Sequence, residues 1–222
     1  MNHYYSEKPT SEFKLSKIND IVRKIDIELF TAPGVFSTKK IDYGTRLLAE
    51  KMIIADNDKV LDFGCGLGII GIIAAHLTKN KVVLIDVNTR ACKLAKMNTK
   101  SLKNIEVFKS NFYENLNDRK FNVIVLNPPH TAGKDICFQM IEESKEHLEK
   151  NGSLQIVARH NKGGKVLSEK MEAVFGNIDT ITKKGGYRVY LRRKTQQIHG
   201  LLLWLWKCLN LKNKQHLLRL NG

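Results

Sequence analysis

The stretch Asn127-Pro128-Pro129-His130 closes a run of aliphatic residues, Val123 to Leu126. The side-chain oxygen of Asn127 and the backbone carbonyl of Pro128 are two hydrogen-bond acceptors on a chain stiffened by two prolines. Side by side, each would take one N–H of a planar amino group such as the exocyclic amine of guanine or adenine, or an amide. Conjugation makes such a nitrogen a poor nucleophile. Two acceptors steer it toward tetrahedral geometry and aim its lone pair at an electrophilic methyl group, with positioning rather than a strong base supplying the acceleration. Pro129 keeps the loop rigid, and His130 would stack on the planar target. By itself the tetrapeptide also reads as a plain turn at a strand end, so its meaning depends on what lies beside it.

A second constellation lies in KVLDFGCGLGIIGIIAAHL, which puts Gly64, Gly66, Gly68 and Gly71 between a strand and a helix. Glycines there let the backbone turn sharply and approach a ligand, and the helix N-terminus offers unpaired N–H groups. A packing turn would carry the same glycines. Further along, VVLIDVN ends a buried strand in Asp86, 20 residues after Gly66, where a carboxylate can accept from both ribose hydroxyls of an adenosine cofactor; Val87 adjoins the same place. Helix capping is the plainer role for Asp86. Asp62, just ahead of the glycines, separates two cofactors. Its charge suits the cationic amino-acid half of S-adenosylmethionine and would repel a pyrophosphate, unless it serves only to accept nearby backbone N–H groups.

Positioning these groups requires a particular order of elements. Strand patterns fall at Val60–Phe63, Val82–Ile85, Glu106–Lys109, Phe121–Leu126 and Leu154–Ala158, with a final pair near Ile181 and at Arg188–Tyr190. Helical patterns at Ile69–Thr78, Thr89–Leu102, Asp135–Leu148 and Lys165–Phe175 alternate with them. Repeated βα units predict an α/β fold with a mostly parallel sheet and helices on both faces. The last two strands are joined only by KKGG, too short for a helical crossover, so they should pair antiparallel, an ending found in one class of methyl-transferring enzymes. Asn127 and Asp86 then share the carboxyl-end crevice where open α/β sheets bind ligands. Residues 1–55 read as a flank or lid with a glycine-punctuated loop and a helix from about Gly44 to Met52, residues 56–194 as the catalytic domain, and residues 195–222 as a basic and apolar extension.

At 222 residues and 42% hydrophobic content the chain supplies one sizeable core. No secretory signal pattern opens it, and the apolar run Leu201–Leu205 is too short to span a bilayer; the expected location is the cytoplasm. Cys65, Cys92, Cys137 and Cys208 show no C-x-x-C pairing and the histidines no ligand spacing, so neither a disulfide framework nor a metal is expected. The net charge is +15, and beyond Asp179 there are ten Lys and Arg and no acid. That asymmetry suits a polyanionic partner, RNA above all, although a basic tail also aids solubility. Lys134, Arg159, His160, Lys162, Lys165, Lys183, Lys184 and Arg188 cluster after strand ends and could follow an RNA backbone. NKGGK lacks the spacing of a phosphate loop.

From HYYSEKP to about Leu191, through GVFSTKKIDYGTRLL, VLDFGCGLGIIG, IDVN, LNPPHTAGK and KGGYRV, the chain resembles the methyltransferase small-domain family, in particular its small-subunit ribosomal RNA guanine-N2 methyltransferases. The resemblance implies a seven-stranded class I fold, S-adenosylmethionine held by residues Asp62 to Gly68 and Asp86, and methyl transfer to an RNA base amine through Asn127 to Pro129. It also implies that Phe36, Asp42 and Thr45 fold over the cofactor. Departures are local. Ser110-Asn111 stands where the family has Ser-Asp, leaving the Asn111 amide oxygen to reach adenine, and His130 replaces an aromatic or aliphatic residue. An extra N-terminal domain of larger members has no counterpart, and the segment after Lys194 matches nothing in the family. Two other readings remain: a glutamine-amide N-methyltransferase, whose sites also use N-P-P, and a catalytically silent RNA-binding module.

Overall fold

The computed structural model describes residues 9–129, 133–176 and 178–193. Two strands, β1 (Ser16–Val22) and β2 (Ile25–Thr31), form a hairpin, followed by α1 (Tyr43–Lys51), β3 (Val60–Phe63), α2 (Ile69–Leu77), β4 (Val82–Asp86), α3 (Thr89–Asn98) and β5 (Ile105–Lys109). After a short turn come β6 (Phe121–Leu126), α4 (Lys134–His147), β7 (Leu148–Arg159), α5 (Lys165–Phe175), β8 (Asp179–Lys184) and β9 (Tyr187–Arg193). The seven strands from β3 onward make one sheet in the order β5-β4-β3-β6-β7-β9-β8, in which β9 alone runs antiparallel. The α/β class, the parallel pairing and the antiparallel last pair are therefore as the sequence predicts.

Strand parity sorts the side chains into two cores. Val60, Leu84, Val123, Val125 and Val157 pack with α1, α2 and α3 on one face of the sheet, whereas Leu61, Ile124, Leu126, Ala158 and Tyr190 pack with α4 and α5 on the other. Because side chains alternate along a strand, Asp62, Asp86 and Asn127 all lie on the α1–α3 side at or near strand ends.

The flank is more ordered than its loop-and-helix reading. β1 and β2 pair in full register from Ser16↔Thr31 to Val22↔Ile25, burying Ile18, Val22, Ile27 and Leu29. Its two-residue turn, Arg23-Lys24, has φ of 53° and 63°, a geometry that usually recruits Asn-Gly. Two further boundaries differ. α3 ends at Asn98 rather than Leu102, and β7 begins at Leu148, directly at the end of α4, instead of Leu154. The early part of β7 pairs irregularly with β6 between Phe121 and Val123, and a Cβ on Gly152 would lie 3.0 Å from Phe121 O, so glycine gives the chain its closest passage there. The expected extension 195–222, Cys208 and the HYYS segment up to residue 8 lie outside the described residues.

Candidate active site

The glycine turn is built by its own backbone and by two carboxylates. Gly64, Gly66 and Gly68 have φ of 73°, 54° and 85°, a region in which side-chain-bearing residues are strained. A Cβ on Gly64 would meet nothing within 4 Å, so the space above the turn is open. Gly71 serves packing instead, because a Cβ there would lie 2.6 Å from the Leu84 side chain; its bare backbone lets α2 approach β4. Asp62, 1% exposed, accepts the Gly71 N–H through Oδ2 at 2.8 Å. Burial, aided by the nearby Asp86 charge, pushes its pKa up to about 7 even though the Gly71 bond opposes the shift. Thus Asp62 serves the strand-to-helix turn directly with one oxygen. Asp86 accepts Gly66 N–H at 2.9 Å through Oδ2 and Asn88 N–H at 2.8 Å through Oδ1. Burial raises its pKa, and its backbone hydrogen bonds pull the other way.

Two adjoining clefts share Gly64, Asn127 and Pro129. One is walled by Asp86, Val87, Ser110, Asn111, Phe112 and Met140. Asn111 donates its amide N–H to Glu114 Oε1 at 2.8 Å, which directs its oxygen, an acceptor, elsewhere. The other cleft reaches Phe36, Thr45, Cys65 and Gly66. These features fit an adenosine cofactor with a cationic amino-acid arm: a glycine turn with open space above it, a buried carboxylate beside the second strand end, and an apolar slot ending in amide and hydroxyl groups.

Asn127 is placed by the parity of β6 against the start of α1. Its Nδ2 donates to Thr45 Oγ1 at 2.9 Å and lies 3.4 Å from Asp42 Oδ2. Asp42 caps α1, its carboxylate accepting Thr45 N–H at 3.1 Å, a cap of roughly 1 kcal/mol. At the other end of α1, buried Gln155 accepts Ile53 N–H at 2.9 Å and donates to Ile53 O at 2.7 Å. The Tyr43 ring packs at a tilt of 49° against Tyr187, centroids 5.3 Å apart, and presses its hydroxyl end against Gly185, where a Cβ would be only 2.8 Å away. Phe36, Asp42 and Thr45 thus come to the crevice, with Asp42 and Thr45 touching Asn127. Pro128 and Pro129 also wall a third hollow, shared with Lys134 and Lys162. His130, expected to stack on the target, lies outside the described residues.

Strand parity divides Arg159 and Arg188 between the two faces of the sheet. Arg159 stands 5.8 Å from the Tyr187 ring and pairs with it across the ladder, on the α1 side. Arg188 is one residue further on, so it faces the α4–α5 side, opposite Lys183. There His160 is 2.7 Å from Tyr190 Oη, and desolvation followed by the charges of Arg188, Lys165 and Lys183 lowers its pKa. Lys134 begins α4 and covers the Phe138 ring at 5.1 Å.

Sequence motifs did not single out the residues that moor the flank. Asn88 donates to Gly34 O at 2.9 Å, and Arg90 gathers Ser11 and the Pro33 carbonyl. Asn98 bonds both Phe30 N and O and reaches Leu67 O. An asparagine just before a helical run was a legible cap signal; the long reach of Arg90 and Asn98 was not. Among the described residues no group of His, Cys, Asp and Glu could hold a metal ion, and no helix is long and apolar enough to cross a membrane.

Comparison with known proteins gives a match to the methyltransferase small domain over residues 26–191. The chain belongs to the methyltransferase small-domain family. This methyltransferase is 34% identical over 197 residues to YbxB of Bacillus subtilis, described as uncharacterized, covering 86% of this chain and 98% of that protein. It is 36% identical over 187 residues to ribosomal RNA small subunit methyltransferase C of Buchnera aphidicola, covering 81% of this chain and 54% of that one. The chain therefore spans about half the length of that relative. The Thermus thermophilus 16S rRNA N2 G1207 methyltransferase, solved with AdoMet and guanosine, superposes with a TM-score of 0.72 at 22% identity, over 84% of this chain and 52% of that one. That likeness establishes the class I methyltransferase fold.

Proposed function

We propose that this methyltransferase moves a methyl group from S-adenosylmethionine to the exocyclic amine of an RNA base, guanine N2 of small-subunit ribosomal RNA. The observation that carries the reading is Asn127: its amide nitrogen is engaged by Thr45 and Asp42 while the residue lines both clefts beside the glycine turn. The names of the relatives support the ribosomal substrate, and the basic balance of the chain supports RNA.

In this reading Asp86, Val87 and Asn111 bound the adenosine end, with Asp86 taking ribose hydroxyls on its remaining lone pairs. The turn from Asp62 through Gly64 and Gly66 to Gly68 borders the amino-acid end. S-adenosylmethionine supplies, when bound, a methyl group on a cationic sulfur. Asn127 Oδ1 and the Pro128 carbonyl accept the two N–H bonds of the target amine, and Pro129 restrains both acceptors. The phosphate backbone is met by Lys134, Arg159 and Arg188, and His130 stacks on the base, which must be unpaired or flipped to enter. Residues 1–55 act as the flank over the crevice, 56–194 as the transferase domain and 195–222 as an extension.

The test is to incubate the protein with radiolabelled S-adenosylmethionine and ribosomal subunits from a strain lacking it, then identify the labelled nucleoside. Label in N2-methylguanosine, lost in Asn127→Ala, is the expected result. Label confined to protein would move the assignment to a glutamine amide.

A further inference from the structure

Resting on that reading of Asn127, we infer that Asp42 and Thr45 are positioning residues that set the polarity of the Asn127 amide. An asparagine amide has two ends of nearly equal shape, one donating and one accepting, and only its partners decide which faces the target. If the NH2 end faced an incoming amine, donor would meet donor and the target would be repelled.

The crevice contains a one-way chain that prevents this. Asp42 is a carboxylate and can only accept. Its Oδ2 lies 3.1 Å from Thr45 N and 3.5 Å from Thr45 Oγ1, so the hydroxyl proton between them belongs to the threonine. A hydroxyl that spends its proton on Asp42 offers only lone pairs to its other neighbour. That neighbour is Asn127, at 2.9 Å, and the end it must present is Nδ2. The same nitrogen lies 3.4 Å from Asp42 Oδ2, a second acceptor. Both amide protons thus have acceptors on α1, and Oδ1 is turned away from them.

Burial makes the arrangement stiff. Thr45 is only 7% exposed, so water cannot readily replace a lost partner, and unsatisfied buried groups are costly. α1 is itself pinned by Gln155 behind and Tyr187 in front. The cap of a helix that precedes the sheet therefore orients an acceptor that ends its fourth parallel strand.

Three variants and three measurements test this. Thr45→Val removes the hydroxyl at nearly constant shape, and Thr45→Ser restores it. Expected results for Thr45→Val are a fall in kcat of about tenfold or more, as for one charge-linked hydrogen bond, well beyond the change in the Kd for S-adenosylmethionine measured by calorimetry. Thr45→Ser returns most of the rate. The third measurement needs no substrate: in 15N spectra the Asn127 NH2 pair, assigned by its loss in Asn127→Ala, shifts in Thr45→Val and returns in Thr45→Ser. An NH2 pair unmoved in Thr45→Val, an undiminished kcat, or a loss of cofactor affinity matching the loss of rate overturns the inference. Full activity in Asn127→Ala would instead overturn the role of Asn127 itself, whatever Thr45 does.

Discussion

The N–H of Gly66 donates to Asp86 Oδ2 over 2.9 Å, so the middle of the glycine turn is tied to the end of the neighbouring strand. One carboxylate both shapes the turn and borders the cleft. Asp86→Ala is expected to weaken S-adenosylmethionine binding by about tenfold or more, and Asp86→Asn by less, since its amide oxygen can still accept one N–H. Calorimetric titration measures both; equal affinity in Asp86→Ala and the parent would remove Asp86 from the cofactor site.

Asp62 offers a pH experiment. Its pKa is pushed up to about 7 from an ordinary 3.8, so between those values the folded chain holds a proton that the unfolded chain has released. The stabilising contribution is complete below the unfolded value and is lost as pH rises through about 7. Asp62→Asn keeps an acceptor for the Gly71 N–H and removes the titration. Its melting temperature relative to the parent is expected to be higher at pH 8 than at pH 5, by a few degrees. A difference between the two chains that does not vary with pH would contradict the raised pKa.

Two glycines of the same motif should fail for different reasons. Gly71→Ala puts a methyl 2.6 Å from Leu84 and is expected to cost about 1–3 kcal/mol of stability, partly recovered in Gly71→Ala/Leu84→Val. Gly64→Ala meets open space but holds φ at 73°. Its backbone strain costs about 1–2 kcal/mol, and its methyl enters the cleft, so cofactor affinity falls as well. Denaturant unfolding and calorimetry together separate the two; rescue of Gly64→Ala by the Leu84 change would be the contrary result.

Arg159 and Arg188 project from opposite faces of the sheet, on the paired strands β7 and β9. If RNA contacts both, Arg159→Ala and Arg188→Ala should each raise the KM for RNA several-fold, leave cofactor affinity unchanged and reduce the salt slope of RNA binding by about one. An unchanged slope in either variant would place RNA on one face only.

Much of this arrangement could be read from residue types. β-branched runs, the glycine spacing and Asp86 located the sheet and its crevice, because period-two burial and sharp turns leave strong marks in sequence. The first hairpin did not stand out, although Ile18, Val22, Ile27 and Leu29 carry its buried side, since Arg23-Lys24 replaces the glycine or asparagine that normally announces such a turn. Cation grouping was legible only in part: positions after strand ends suggested a cluster, while strand parity parts Arg159 from Arg188. The bond from Asn127 to Thr45 spans 82 positions, and no local pattern encodes it.

The contact of Tyr43 with Gly185 and Tyr187 joins the first helix to the last hairpin, across the whole of the seven-stranded sheet in sequence. Such a closure has high contact order and forms late. During synthesis, a nascent polypeptide that has delivered its glycine turn and Asn127 still lacks the hairpin against which α1 comes to rest. Until those strands are made, the seating of α1, and with it the place of Thr45 beside Asn127, lacks its last support.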